Sequence, residues 1–200
     1  MIKIISDGLV KEYSESEYDT FGDLWRVIEP KNRVLVELKV NEKEVPINRI
    51  EELFDVKLEG NEVVEIKTKP IYEATIDLID EALGYVARIE ERLPELSNKI
   101  IIGQINEAMN DLKHVIDGIV ALEDMRKSIS QIVDIKVFES ESSVDKFKKS
   151  LAILNKINES LSEQNFTDLV EDIDTGLPKV FEFYKSFLKE AKMVLINKKG

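Results

Sequence analysis

A chain of 200 residues with 43% hydrophobic and 34% charged side chains is long enough to bury a real core and too apolar to be disordered. Its net charge of −12 sets it against phosphate backbones and anionic lipid surfaces, so neither a nucleic acid nor a membrane is expected as a partner. Cysteine is absent, which removes disulfides, thiolate metal sites and cysteine nucleophiles and fits a reducing cytoplasm.

The first residues run directly from Ile2 and Ile4 into Ser6-Asp7-Gly8, without the long apolar core of a secretory signal. No apolar run reaches the roughly 20 positions of a membrane span. A cytoplasmic protein is expected. Ile2, Ile4 and then Leu9 to Tyr13 flank the Ser6-Asp7-Gly8 turn, which predicts an opening hairpin. Thr20, with Asp23 in the position of a capping-box acid, starts a helix carrying Phe21, Leu24, Trp25 and Ile28 on one face, and Pro30 stops it. Val34, Val36, Leu38 and Val40 alternate with charged residues and predict a strand with one apolar face. A turn at Asn41-Glu42-Lys43, a helical turn from Ile50 to Phe54, a second turn at Gly60-Asn61 and a last strand from Val63 to Ile66 follow.

The order hairpin, helix, strand, short helix, strand, together with the run from Val36 to Pro46, Leu58, Gly60-Asn61 and Val64-Glu65-Ile66, resembles the ubiquitin-like β-grasp of the small sulfur-carrier proteins of thiamin and molybdopterin synthesis. The resemblance covers about the first 69 residues and implies the fold. It does not imply the chemistry. That family carries sulfur on a free carboxy-terminal glycine pair after the last strand, whereas Lys67-Thr68-Lys69-Pro70 follows here and Gly200 stands alone after Lys198-Lys199.

From Pro70, which suits the first turn of a helix, the period becomes helical throughout. Tyr72, Ile76, Ile79, Leu83, Val86 and Leu93 form one stripe, closed by Pro94. Ser97 opens a second helix of about 35 residues, near 52 Å long, whose stripe runs from Ile101 to Val133. A polar connector over 134–143 contains Ile135, Val137 and Phe138, and Ser142 with Asp145 opens a third helix bearing Val144, Phe147, Leu151, Leu154, Ile157 and Leu161. Asn165 with Asp168 caps a fourth, with its stripe at Phe166, Val170, Ile173, Leu177, Val180, Tyr184, Phe187, Ala191 and Val194. Gly176 and Pro178 interrupt that stripe without shifting it, so one kinked helix is expected. The predicted fold class is α+β: a small β-grasp-like domain over residues 1–69, then an all-α antiparallel four-helix bundle over 70–200.

Candidate chemistry is sparse. His114 is the single histidine and follows Asp111 by three residues, but a di-iron bundle needs two such acid–histidine pairs, so no metal and no cofactor is expected. Glu90 and Glu123 fall near stripe positions, where a buried carboxylate either does acid–base work or pairs with Arg88, Arg92 or Arg126. Trp25 belongs to the core of the first domain or, exposed, makes a binding hot spot. The long second helix overhangs the first, and the overhang from about Val120 to Val133, with Leu122 and Ile129, either packs on the first domain or receives a partner. The last helix is basic, and Lys185, Lys189 and Lys192 are candidates for contact with an acidic partner, against the simpler reading of lysines that solubilise a helix end.

With no phosphate loop and no nucleophile motif in sight, two readings remain. The first is a non-catalytic protein-interaction module, an adaptor, assembly factor or export chaperone that binds a protein partner, a homodimer included. The second is an enzyme or small-ligand binder using a polar pocket where the two domains meet.

Overall fold

Asp7 and Gly8 both take left-handed backbone (φ +48° and +85°), the requirement of a tight hairpin turn, and they join β1 (Ile2–Ser6) to β2 (Leu9–Tyr13) as expected. In the computed structural model, which describes residues 1–133 and 141–197, the chain divides into two compact units, Met1–Ala74 and Thr75–Gly200. The first is a five-stranded sheet with a helix; the second is helical throughout, with none of its helices long and apolar enough to cross a membrane among the described residues. The class is α+β.

In the first unit the sheet order is β2-β1-β5-β3-β4, with β3 at Arg33–Val40, β4 at Lys43–Glu44 and β5 at Val63–Pro70. β1 and β5 run parallel at its centre (Ile4 opposite Val64), and the other pairs are antiparallel. Helix α1 (Phe21–Ile28) starts where Thr20 accepts a hydrogen bond from the Asp23 amide at 3.2 Å, as the capping pattern predicts. Its residues Phe21, Leu24 and Trp25 are buried with Ile2, Ile4, Leu38, Val64 and Ile66 in one core.

Two sequence expectations fail here. Val34 and Val36 do not share the face of Leu38: a β-bulge between Leu35 and Glu37 inserts a residue, so Leu35 packs on the core and Val34 and Val36 are exposed. The last strand does not stop at Ile66, and Pro70 does not open a helix. β5 continues to Pro70, opposite Arg33, and α2 (Ile71–Glu90) follows without an intervening residue.

The predicted second helix is two. α3 (Leu93–Ile101) ends in a Schellman motif: Gly103 has φ +82°, its amide donates to the Ile100 carbonyl at 3.1 Å, and the Gln104 amide reaches Lys99 at 2.8 Å. α4 (Ile105–Ile132) then restarts. The glycine supplies the positive φ that an L-residue resists, and that conformation ends the helix although the apolar period continues through it.

α5 (Glu141–Ser162) begins before the expected cap, and the expected connector with Ile135, Val137 and Phe138, like Lys198-Lys199-Gly200, lies outside the described residues. Its inner face is rotated from the expected stripe: Ser150, Ile157 and Ser160 are buried, whereas Val144 and Leu151 are exposed. Asn165 does cap α6 (Phe166–Glu171), accepting from the Asp168 amide at 3.3 Å.

A π-helical turn over Asp172–Gly176 then leads directly into α7 (Leu177–Asn197). The wide turn has a physical cause. Pro178 has no amide hydrogen to give, and the Leu177 amide bonds the Asp172 carbonyl five residues back. A β-carbon on Gly176 would lie 2.7 Å from Cγ2 of Ile153, so the glycine lets α5 lie against this turn. The rod is one element, as expected. Its buried surface is broader than one stripe, for Leu169, Phe181, Phe183, Leu188 and Leu195 are buried besides the predicted Ile173, Leu177, Val180, Tyr184, Phe187 and Ala191. Leu177→Ala, which empties a fully buried site at the joint, is expected to lower unfolding stability by about 2–5 kcal/mol in a urea melt.

Candidate functional site

The charged residues that the sequence brings forward are mostly spent on holding helices together. Glu90, on the last turn of α2, accepts two hydrogen bonds from Lys185 of α7 at 2.7 and 2.8 Å. About two turns further along α7, Lys192 meets both carboxylate oxygens of Asp80, again joining α7 to α2. Lys185 and Lys192 are therefore partly buried inter-helix clamps, and Lys189 is exposed with no ion pair among the described residues.

Glu123 takes the second expected role, paired with arginine. Arg126 grips it with two bonds of 2.8 and 2.7 Å, the Tyr184 hydroxyl lies 3.3 Å from the same carboxylate, and the guanidinium stands 5.1 Å above the Phe147 ring. Bonding to Glu123 holds the Arg126 charge more firmly than usual. Burial, and then the Glu123 charge, push the Tyr184 hydroxyl well above the ordinary tyrosine range. Each buried side-chain nitrogen or oxygen among the described residues has a hydrogen-bond partner.

The other expected positions are placed differently. Trp25 is buried, stacked on Phe21 with ring centroids 5.9 Å apart, and belongs to the core. Leu122 and Ile129 are 3% and 1% exposed, so neither presents a surface to a partner. The break at Gly103 leaves the long helix at 28 residues. His114 is exposed, and no acidic and histidine cluster suited to a metal occurs among the described residues.

Two features escape a reading by periodicity. The first is the sheet edge. β2 is hydrogen-bonded on one side to β1 and is the outermost strand, and every residue from Leu9 to Glu12 is exposed. Val10 pairs with Ile5, on the sheet face opposite Ile2 and Ile4 by strand alternation. Leu9 and Val10 are 73% and 54% exposed.

The second feature is a cleft of about 520 Å³ in the helical unit, between the α2–α3 corner and the first half of α4. Ile89, Leu93, Leu96 and Val115 form its apolar floor. Tyr85 makes one wall, and its position depends on Gly118, where a β-carbon would come within 2.5 Å of the phenolic oxygen. Lys99 bonds Asp111 across the Gly103 turn at 2.7 Å and Glu95 within α3 at 3.4 Å, and the bond to Asp111 chiefly stabilises its charge. Arg92 and His114 line the same cleft. The signals for it in the sequence are Gly103, which ends α3, and Gly118, which makes room for Tyr85.

Residues 77–195 match the family model described as Domain of unknown function (DUF8042), and the chain belongs to that family. The match contains the cleft and both inter-helix clamps, and it leaves out the sheet. No curated protein and no solved structure matches the chain.

The Tyr184 environment has a measurable consequence. Since the folded chain holds this proton more tightly than the unfolded chain, its contribution to stability is complete below the unfolded value of about 10 and is lost as pH rises toward the folded one. Urea melts between pH 9 and 11 are expected to show a steeper loss of stability in the native protein than in Tyr184→Phe. Parallel curves would place the hydroxyl in contact with water.

Proposed function

We propose that the protein is a cytoplasmic, non-catalytic protein-interaction module, in which the sheet domain takes an extended segment of a partner protein along β2. The observation that carries this is the open main-chain edge of β2 together with the exposed Leu9 and Val10. An outermost strand offers unpaired amides and carbonyls, and strand addition uses them for affinity while side chains of alternate residues select the sequence. An adaptor, an assembly factor and a chaperone all use such an edge.

The sheet domain is read as a β-grasp. Supporting this are the strand order 2-1-5-3-4, the parallel pair β1–β5 at its centre and the helix α1 packed in the core beside the short 3-10 helix Ile47–Leu53. The resemblance to sulfur carriers ends at the strand terminus. Arg33 pairs with Pro70 where a carrier would release its flexible tail, and α2 takes the chain onward. The helical domain is read as a four-rod bundle of α2, α4, α5 and the joined α6–α7, with α3 as a corner piece. Contacts of α7 with α4 and α5, and its two ion-pair clamps to α2, support that reading.

The test is to tag the chain in its own cells and compare what is retained by the native protein and by Leu9→Asp/Val10→Asp. Both positions are exposed, so the double variant is expected to keep the native melting temperature and to lose at least tenfold of its partner. Equal retention by both proteins would move the binding surface away from β2.

A further inference from the structure

We infer that the cleft between the α2–α3 corner and α4 is a binding site for a small amphipathic anion, a carboxylate or phosphate head group on an apolar body.

The argument begins with which charges are already used. Lys99 lies between Asp111 and Glu95, so these three groups satisfy one another and leave one negative charge between them. Arg92 and His114 have neither an ion pair nor a side-chain hydrogen bond among the described residues, and both line this cleft. In a chain of net charge −12, the exposed Arg92 brings a guanidinium with no carboxylate partner among the described residues, and His114 an imidazole, to the lining of one cleft with buried apolar residues.

The shape selects the rest of the ligand. A planar guanidinium presents paired donors that fit the two oxygens of a carboxylate or the oxygens of a phosphate. The same cleft is lined by the buried Ile89, Leu93, Leu96 and Val115 and by Tyr85. A volume near 520 Å³ belongs to the range of small-molecule sites, and an apolar lining with a few polar groups at one end is their usual composition. An inorganic anion would leave the floor unused, and an alkyl cation would meet Arg92. The walls are also built to last: Gly118 seats Tyr85 against α4, and the Lys99 bridge fixes α3 against α4 across the Gly103 turn. The cleft lies wholly inside the span that defines the family.

The experiment is calorimetric titration of the full chain with octanoate, octyl phosphate, octylammonium and inorganic phosphate. Octanoate or octyl phosphate is expected to saturate one site, with octylammonium and inorganic phosphate at least tenfold weaker; the tighter of the two octyl anions identifies the head group. Arg92→Glu, at an exposed position, is expected to weaken that binding at least tenfold, and His114→Ala severalfold, while Lys189→Glu on α7 leaves it unchanged. Equal binding of octylammonium, or undiminished affinity in Arg92→Glu, would overturn the assignment. The octyl ligands do not involve β2, so failure here leaves the strand-addition reading standing, and Leu9→Asp/Val10→Asp is expected to bind them normally.

Discussion

The helical unit depends on burying its last helix around most of its circumference. α7 places nine residues in the interior, from Leu177 to Leu195, and a helix apolar on this many sides must be enclosed by others. Everything nearby follows from that enclosure. α5 comes close enough at the π turn that Gly176 has no room for a methyl group, and α4 lies along another side of α7. Where α7 does carry charge toward a neighbour, at Lys185 and Lys192, a carboxylate on α2 meets it. Such pairs add modest stability when partly solvated, but they reject alternative registers, since sliding α2 by one turn would leave a carboxylate and an ammonium each without its partner.

Both the candidate binding features arise where regular structure is interrupted. The cleft exists because α3 and α4 are separate helices joined by a left-handed glycine, which turns the chain and opens a gap that a continuous helix would close. The sheet edge exists because β2 is the outermost strand of the sheet, with no strand paired beyond it among the described residues. In each case the framework is rigid and the opportunity is local, the arrangement that lets loops and ends carry recognition while the core carries stability.

Much of this was legible in the residues. The opening hairpin, the Thr20 cap, the Asn165 cap and the single rod through Gly176 and Pro178 each had a short-range chemical cause, and each occurs. What was missed had causes that periodicity does not encode. The break at Gly103 leaves the apolar spacing undisturbed, so the stripe read straight through it. The bulge at Val36 changes which side chains face inward without changing the alternation of residue types. Leu122 and Ile129 fitted both a core and an overhang, and only their burial in the folded chain separates the two. The cleft was hidden for a further reason. Its floor is made of ordinary stripe residues, and its distinguishing groups, Arg92 and His114, matter because of ion pairs they do not make.

The π turn gives the family a rule about insertions. One residue more than an α-turn needs is stored there, whereas a residue gained or lost in a regular stretch of helix turns every later side chain by about 100°. Loss of a single residue between Asp172 and Gly176 would let the backbone close into an ordinary α-turn and leave α7 facing the same way. A deletion between Leu177 and Tyr184 would instead carry Tyr184 away from Glu123, Lys185 from Glu90 and Lys192 from Asp80 in one step. In related chains, a one-residue gap within this rod should therefore fall at the π turn and spare α7.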